Sequence, residues 1–232
     1  MIELCGVTKV FQGPDGRELR VLDNLDLRVE SGTSISVVGP SGSGKSTLLA
    51  LIAGLDRPTR GVVTVADERV SEYSEEQLAA FRARTLGFVF QSFQLIDSFT
   101  ARQNVQIAAE IAGIADAPAR TLAALARVGL AERHEHRPHA MSGGEQQRVA
   151  IARAIVTRPR VLLCDEPTGS LDRDNAQEVL KLLRELQHEL KTTMVIVTHD
   201  LELAPQFDRM IELRHGQLAT SPTTPVVATA SI

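Results

Sequence analysis

A glycine-rich loop between an apolar run and a helix-like segment constrains this chain more than any other feature. Residues 39–47 read Gly-Pro-Ser-Gly-Ser-Gly-Lys-Ser-Thr, a complete G-x-x-x-x-G-K-[ST] pattern. The apolar run 34–38 precedes the loop and the apolar segment 48–53 follows it, which gives the strand, loop and helix that the pattern requires. The sequence therefore predicts a nucleotide triphosphate site. A glycine and serine turn that holds a lysine by chance is the disfavoured alternative.

The side chains and backbone of this loop have distinct expected tasks. Glycines let backbone N–H groups curl around phosphates, and the N-terminus of the following helix favours their negative charge. Lys45 is placed to reach the β- and γ-phosphates, and Ser46 to ligate Mg²⁺. The residues expected to bind the nucleotide here are Gly39, Ser41, Gly42, Gly44, Lys45, Ser46 and Thr47.

A second helix start follows about a hundred residues later, at Ser142-Gly-Gly-Glu145. The S-x-x-E spacing predicts a capping box, which is sufficient reason for Ser142 and Glu145. Capping does not explain Gly143 and Gly144, which expose backbone N–H groups at a positive helix end. The sequence thus predicts a second phosphate-binding site in the same chain, made by Ser142, Gly143 and Gly144.

Two adjacent carboxylates end a third apolar run. Residues 161–164 predict a buried parallel strand, and Asp165 and Glu166 follow it directly, before a proline. Asp165 is placed to hold Mg²⁺ through water, and Glu166 to polarise the attacking water. In isolation an acidic turn is the less favoured alternative, and beside a triphosphate the pair predicts a catalytic centre.

Gln91 and His199 also follow strand-like runs, at 86–90 and 193–198. A lone glutamine or histidine is more often ordinary than catalytic. In α/β sheets, however, the carboxyl ends of the strands line one crevice, where ligands bind. We therefore expect both side chains to be catalytic, with Gln91 reaching the metal and the attacking water.

Together these motifs resemble those of the ATPase subunits of ABC transporters, from residue 2 to about residue 218. In the family's terms 39–47 is Walker A, Gln91 the Q-loop, 141–145 the signature, 161–165 Walker B, 170–172 the D-loop and His199 the switch histidine. The chain is most similar to the MacB, LolD and FtsE branch. The resemblance implies an α/β P-loop NTPase core with a mainly parallel sheet, an N-terminal antiparallel β subdomain and an inserted α-helical subdomain at about 92–158. All belong to a single ATPase domain of residues 1–220.

The resemblance also implies how such a protein works. ATP and Mg²⁺ are the cofactors, Asp172 contacts the nucleotide, and Phe11 stacks on adenine where the family often has tyrosine, although a core phenylalanine is the alternative. Two copies face head to tail, so that each ATP lies between Lys45 and Ser46 of one and Ser142 and Gly144 of the other. Closure and reopening drive a separate membrane permease that exports or extracts an amphiphile. The alternatives are a force-transmitting ATPase acting on an extracytoplasmic process, as in cell division, and a soluble non-transport ABC ATPase.

Composition narrows the location and the partners. With 232 residues, 43% of them hydrophobic, the chain can form one sizeable core. It has no run of about eighteen apolar residues, and residues 1–5 do not read as a signal peptide, so we expect a protein on the cytoplasmic side of the membrane, held by its permease. The net charge of −4 and the dispersed basic residues predict that nucleic acid is not a partner.

Apolar spacing gives a coarse secondary structure. Residues 2–10 and 21–29 predict β-strands, and the stripe Val179, Leu180, Leu183, Leu186 and Leu190 predicts a core-packed helix. Between 91 and 142 the spacing predicts helices whose core face holds Ala108, Ile111, Ala112, Leu122, Leu125 and Ala126. The uncharged tail 221–232 predicts poor order.

The short connection after Gln91 is unusually apolar, with Phe93, Leu95, Ile96 and Phe99. Core packing is an equal contender for the two phenylalanines. We expect Leu95 and Ile96 to form part of a groove that receives a short helix of the permease.

Overall fold

The computed structural model describes residues 1–13, 16–201 and 204–219. Over these ranges the chain forms nine strands and six α-helices. The strands are β1 (Ile2–Gln12), β2 (Glu18–Val29), β3 (Ser34–Val38), β4 (Arg60–Val65), β5 (Leu86–Phe90), β6 (Val161–Asp165), β7 (Thr193–Val197), β8 (Arg209–Arg214) and β9 (Gln217–Ala219). The helices are α1 (Lys45–Ile52), α2 (Glu75–Thr85), α3 (Ala101–Ile111), α4 (Ala117–Arg127), α5 (Gly143–Ile155) and α6 (Arg173–Leu190). The tail for which poor order was predicted, 221–232, lies outside these ranges.

The strands of the described residues form two sheets. A six-stranded sheet has the order β5-β6-β7-β3-β8-β9, and all its pairs are parallel except the hairpin β8-β9. An antiparallel sheet has the order β2-β1-β4. The expected mainly parallel core with an N-terminal antiparallel β region is confirmed.

The parallel sheet is buried on both faces, as its uninterrupted apolar strands predict. Successive residues of a strand point to opposite faces, and here they enter two different cores. Leu163 and Val195 pack with the antiparallel sheet and α1, whereas Leu162, Cys164 and Ile196 pack with α5 and α6. Cys164 is fully buried in the second of these cores.

The predicted helices between 91 and 142 are present, but their predicted core face is wrong in part. Leu125 is buried, whereas Ile111 is 70% exposed and Leu122 is 45% exposed. The buried face instead includes two polar residues, Asn104 and Thr121. Asn104 is tolerated there because its amide bonds the backbone of Ile96 in both directions, accepting at 2.7 Å and donating at 3.1 Å.

The helices α3, α4 and α5 fall within the range proposed for a helical subdomain, 92–158. Among the helices that the structure describes, none combines the length and hydrophobicity needed to cross a bilayer. That residues 92–158 form a helical subdomain inside a single domain of residues 1–220 stays a prediction.

Candidate active site

The parallel pairing brings the predicted site residues to one edge of the sheet. In register, Phe90 of β5 pairs with Asp165 of β6, and both Asp165 and Val37 pair with Val197 of β7. The four carboxyl ends therefore lie side by side. They carry the glycine loop after β3, Gln91 after β5, Glu166 after β6 and His199 after β7.

The backbone of the glycine loop excludes side chains at two positions. Gly39 has φ 153°, and a Cβ there would lie 2.2 Å from the carbonyl oxygen of Leu213. Gly44 has φ 103°, and its Cβ would lie 2.9 Å from the carbonyl oxygen of Val21. Both approaches are closer than van der Waals contact allows, so only glycine fits at these positions. No side chain there shields the loop N–H groups from a phosphate.

Lys45 is a buried cation, only 9% exposed. Its Nζ donates to the carbonyl oxygens of Gly39, at 2.8 Å, and Pro40, at 3.1 Å. Within the described ranges it forms no ion pair with a carboxylate. Buried charges are normally paired, so a lysine without a counter-ion is unusual. The Ser43 hydroxyl is also buried and has no hydrogen-bond partner among the described residues. The loop therefore offers unmatched donors to an anion, as a triphosphate-binding loop must.

Asp165 and Ser46 meet at the floor of the loop. The Ser46 hydroxyl donates to Asp165 Oδ1 at 3.4 Å. The pKa of Asp165 is raised above its usual value, mainly by burial and further by the Glu166 charge. The Ser46 hydrogen bond and the Lys45 charge oppose this rise. The described residues contain no cluster of three or more His, Cys, Asp or Glu side chains suited to a metal. Asp165 and Ser46 could hold Mg²⁺, which proteins usually bind through one or two carboxylates together with substrate phosphates.

Glu166 and His199 form a close pair. His199 Nδ1 lies 2.8 Å from Glu166 Oε2, and the His199 backbone N–H donates to the same oxygen at 3.3 Å. Glu166 has φ 47°, the left-handed region that costs a non-glycine residue about 1–3 kcal/mol. Its N–H donates to Val197 O at 3.0 Å, which anchors the strained residue to β7. The carboxylate is thus held in one direction by backbone and imidazole.

Gln91 lies against the turn that follows Glu166. A Cβ at Gly169 would lie 2.8 Å from Gln91 Nε2, and the Gln91 carbonyl accepts from the Ser170 hydroxyl at 3.2 Å. In the part of the chain that the structure describes, no hydrogen bond joins Gln91 to Ser46 or Asp165. Its expected metal contact stays a prediction.

The predicted capping box at the start of α5 is confirmed. The Ser142 hydroxyl accepts from the Glu145 N–H at 3.2 Å, and the Ser142 N–H donates to Glu145 Oε2 at 2.8 Å. A Cβ at Gly144 would lie 2.4 Å from Asn175 Oδ1, so the Asn175 side chain would have to move. A Cβ at Gly143 would make only ordinary contacts. No hydrogen bond within the described residues joins 142–144 to the loop 39–47.

Two further candidates, Phe11 and Asp172, have contacts of their own. The Phe11 ring is 41% exposed, so the core alternative is wrong, and Lys9 Nζ lies 4.7 Å from its centroid. Asp172 caps α6, accepting from the N–H and the side-chain amide of Asn175 at 3.0 and 2.7 Å. Adenine stacking by Phe11 and nucleotide contact by Asp172 stay predictions.

Sequence reasoning missed two residues of α5 that hold this edge together. Gln147 is fully buried, and its Nε2 donates to Pro167 O at 2.5 Å and to Phe90 O at 3.5 Å. Arg153 donates to the carbonyls of Phe93 and Gln94, both at positive φ, at 2.8 and 2.5 Å. A glutamine on the buried face of a helix was the available signal for Gln147.

Comparison with known proteins identifies the family. The sequence model described as ABC transporter matches residues 22–169. LolD, the lipoprotein-releasing system ATP-binding protein of Nitratidesulfovibrio vulgaris, is 49% identical over 220 residues, covering 94% of each chain. The macrolide export protein MacB of Hyphomonas neptunium is 46% identical, and the match covers 94% of this chain but 34% of that longer ATP-binding/permease protein. The chain therefore belongs to the ABC transporter family.

Solved structures agree with this assignment. The ATP-binding cassette MJ0796, in a dimeric post-hydrolysis state bound to ADP and Pi, has a TM-score of 0.87 and 36% identity, covering 95% of this chain and 97% of that one. The expected P-loop NTPase fold of the ABC type is confirmed, and the chain is an ATP-binding ATPase of this family.

Proposed function

We propose that this chain is the motor of a membrane transporter, hydrolysing ATP with Mg²⁺ on the cytoplasmic side to drive a permease. The observation that carries the proposal is the shared strand edge. There a glycine loop is surrounded by two carboxylates, a histidine and a buried lysine that forms no ion pair within the described residues. LolD and MacB are named for lipoprotein release and macrolide export, and a third relative, PvdT of Pseudomonas entomophila, for pyoverdine export. An amphiphilic substrate is thus the best candidate for this chain.

ATP fits the loop 39–47, where Lys45 would bind the β- and γ-phosphates, and Mg²⁺ fits Ser46, Asp165 and Gln91. When bound, the metal neutralises charge that develops on the transferred phosphoryl group. Glu166 is the general base, because its carboxylate is fixed at the strand end beside the expected γ-phosphate. His199 Nδ1 must carry the proton that it donates to Glu166 Oε2, and it keeps that carboxylate oriented.

The active unit is proposed to be a dimer with composite sites. This chain owns two phosphate-binding helix starts, at Lys45 and at Ser142, and no described contact joins them. A related cassette, MJ0796, was solved as a dimer in two separate structures. In a head-to-tail pair, Ser142, Gly143 and Gly144 of one copy complete the ATP site of the other.

The permease docking site is proposed to be a cleft between the two cores, different from the groove expected at Leu95 and Ile96. The cleft has a volume of about 470 Å³ and is lined by residues that include Leu55, Phe88, Phe90, Gln94, Ile111 and Arg153. Leu95 instead packs against the core around α5. Neither Leu95 nor Ile96 lines the cleft.

A short amphipathic helix of the permease suits this cleft. Leu55 and Ile111 are 56% and 70% exposed, and such apolar surface in a cleft is a typical interaction site. Arg82 and Arg153 also line it, and in the described ranges both bond backbone carbonyls but no carboxylate. An acidic residue on the docking helix would complete their pairing. Because Gln94 and Arg153 connect the cleft to the segment after Gln91, docking is coupled to the nucleotide site.

Leu55→Glu tests the docking site. The charged side chain would be desolvated against the apolar helix, so we expect co-purification with the membrane permease to fall at least tenfold, a loss of about 1.4 kcal/mol or more of binding free energy. Leu122→Glu is the matched control, because Leu122 is also exposed but lies on α4 outside the cleft. It should retain the permease, and both variants should melt like the parent. Equal retention by the two variants would refute the cleft as the docking site.

A further inference from the structure

A chain of polar contacts surrounds the helix start at Ser142. Glu145 Oε2 closes the capping box on the Ser142 N–H at 2.8 Å, and Glu145 Oε1 accepts from Arg133 Nε at 3.0 Å. Arg133 also places a terminal nitrogen 3.1 Å from His136 Nε2. Each carboxylate oxygen of Glu145 therefore has one fixed partner, and Arg133 supplies the positively charged one.

Glu145 is held as an anion. The hydrogen bond from Arg133 and then the Ser142 backbone hold its pKa below the usual range. Its side chain is 18% exposed and that of Arg133 is 42% exposed, so solvent ions reach this pair. A negative charge in the first turn stabilises the helix through the dipole. The same charge repels any second anion that approaches this helix end.

We propose that Arg133 is a positioning residue that offsets the Glu145 charge, so that the Ser142 end of α5 can accept the γ-phosphate of the ATP held by a second copy. This inference rests on the proposed composite site. Without Arg133, an uncompensated carboxylate lies at the helix end that the phosphate would approach. Arg133 acts through Glu145 and needs no contact with the nucleotide.

The competing explanation is that Arg133 only ties the segment 131–136 to α5. Two readouts separate these roles, because a charge effect weakens in salt and is cancelled by removing the opposed charge. A defect caused only by the loss of a structural contact would change neither with salt nor with removal of the Glu145 charge. Glu145→Gln removes the charge while keeping the capping box, since glutamine also fits the third position of that motif.

The experiment measures the ATP concentration that gives half-maximal dimerisation, by sedimentation of the whole chain with Mg²⁺ in the hydrolysis-deficient Glu166→Gln background. We expect Arg133→Ala to raise this ATP concentration about three- to tenfold at low salt, because the Glu145 charge is then uncompensated near the interface. The ratio of this concentration in Arg133→Ala to that in the background protein should shrink below about twofold at 1 M salt, where the Debye length is about 3 Å. Adding Glu145→Gln to Arg133→Ala should restore the value of the background protein.

Controls keep the test decisive. Arg102→Ala removes a comparable ion pair of the same region, Arg102 with Glu135 at 2.7 Å, and should change nothing. Arg133→Lys retains the charge with fewer donors and should stay within about twofold of the background protein. Melting curves identify any variant that fails to fold, in which case the lysine variant and Glu145→Gln alone decide the matter.

The outcomes are distinct. An unchanged concentration in Arg133→Ala overturns the inference, as does a defect that salt and Glu145→Gln leave in place, or a lysine variant as impaired as the alanine variant. A background protein that never dimerises with ATP overturns the composite site itself, and this inference with it.

Discussion

Replacing Glu166 with glutamine is expected to lower ATP turnover about 10²- to 10⁴-fold, as loss of a general base does. Glutamine keeps the size of the side chain and the acceptor for the His199 N–H, but it cannot take the proton of the attacking water. The strained backbone at φ 47° is the same for both residues, so the fold should persist. Phosphate release at saturating ATP is the measurement.

The same variant should accumulate an ATP-bound dimer, because binding is intact while the reopening step is blocked. Glu178→Gln is a matched control, since Glu178 lies on α6, pairs with Arg148 and is 71% exposed. It should turn over ATP like the parent. Near-normal turnover by Glu166→Gln would contradict the assignment of the base.

Lys45→Ala is expected to weaken ATP binding itself, by about 10- to 100-fold, the loss of one or two hydrogen bonds to a charged group. Among the residues that the structure describes, the ammonium group bonds the loop carbonyls Gly39 O and Pro40 O and no carboxylate, and Lys45 is 9% exposed. Triphosphate would give this desolvated charge its missing counter-ion. Calorimetric titration with ATP and Mg²⁺ measures the affinity directly.

Lys181→Ala provides the control for a lost positive charge. Lys181 lies on α6, at 4.0 Å from Glu185 and 79% exposed, where solvent screens it. The affinity of the Lys181→Ala variant for ATP should match that of the parent protein. If Lys45→Ala bound ATP equally well, the glycine loop would not be the nucleotide site.

The strand edge could be predicted from the sequence because its signals are local. Parallel strands are apolar runs with polar residues at their carboxyl ends, and such ends share one edge of a sheet. Gly39, Gln91, Glu166 and His199 each follow such a run, so their gathering needed no knowledge of distant contacts. Their chemical roles remain proposals, since the fold places them and only experiment assigns them.

Other features depend on contacts that no local pattern reveals. The core faces of α3 and α4 were assigned wrongly because hydrophobicity placed Ile111 and Leu122 inside. The helices instead bury Asn104 and Thr121. A buried asparagine is predictable only when its backbone partners are known, and here they lie in the preceding connection.

Close approaches between distant segments were equally hidden. Gly39 is required by the Leu213 backbone carbonyl, and a Cβ at Gly144 would displace the side-chain amide of Asn175. Phosphate binding was the sequence-level reason for both glycines. The structure adds packing within one chain, which is tight at Gly39, close at Gly144 and open at Gly143.

The central claim is that each ATP lies between two copies, and mixing two disabled variants tests it most directly. One variant carries Ser142→Arg and the other Lys45→Ala, both in the Glu166→Gln background. A mixed dimer then has one intact site, formed by Lys45 of the first and Ser142 of the second, and one doubly broken site. Neither variant alone should occlude ATP.

The measurement is ATP retained by the dimer after rapid gel filtration of an equal mixture. Half of the dimers are mixed and each has one of two sites intact, so we expect about a quarter of the ATP retained by the Glu166→Gln background protein. Recovery at that level would show that Lys45 and Ser142 of different copies share one nucleotide. A mixture that retains no more ATP than either variant alone, although mixed dimers form, would contradict the composite site.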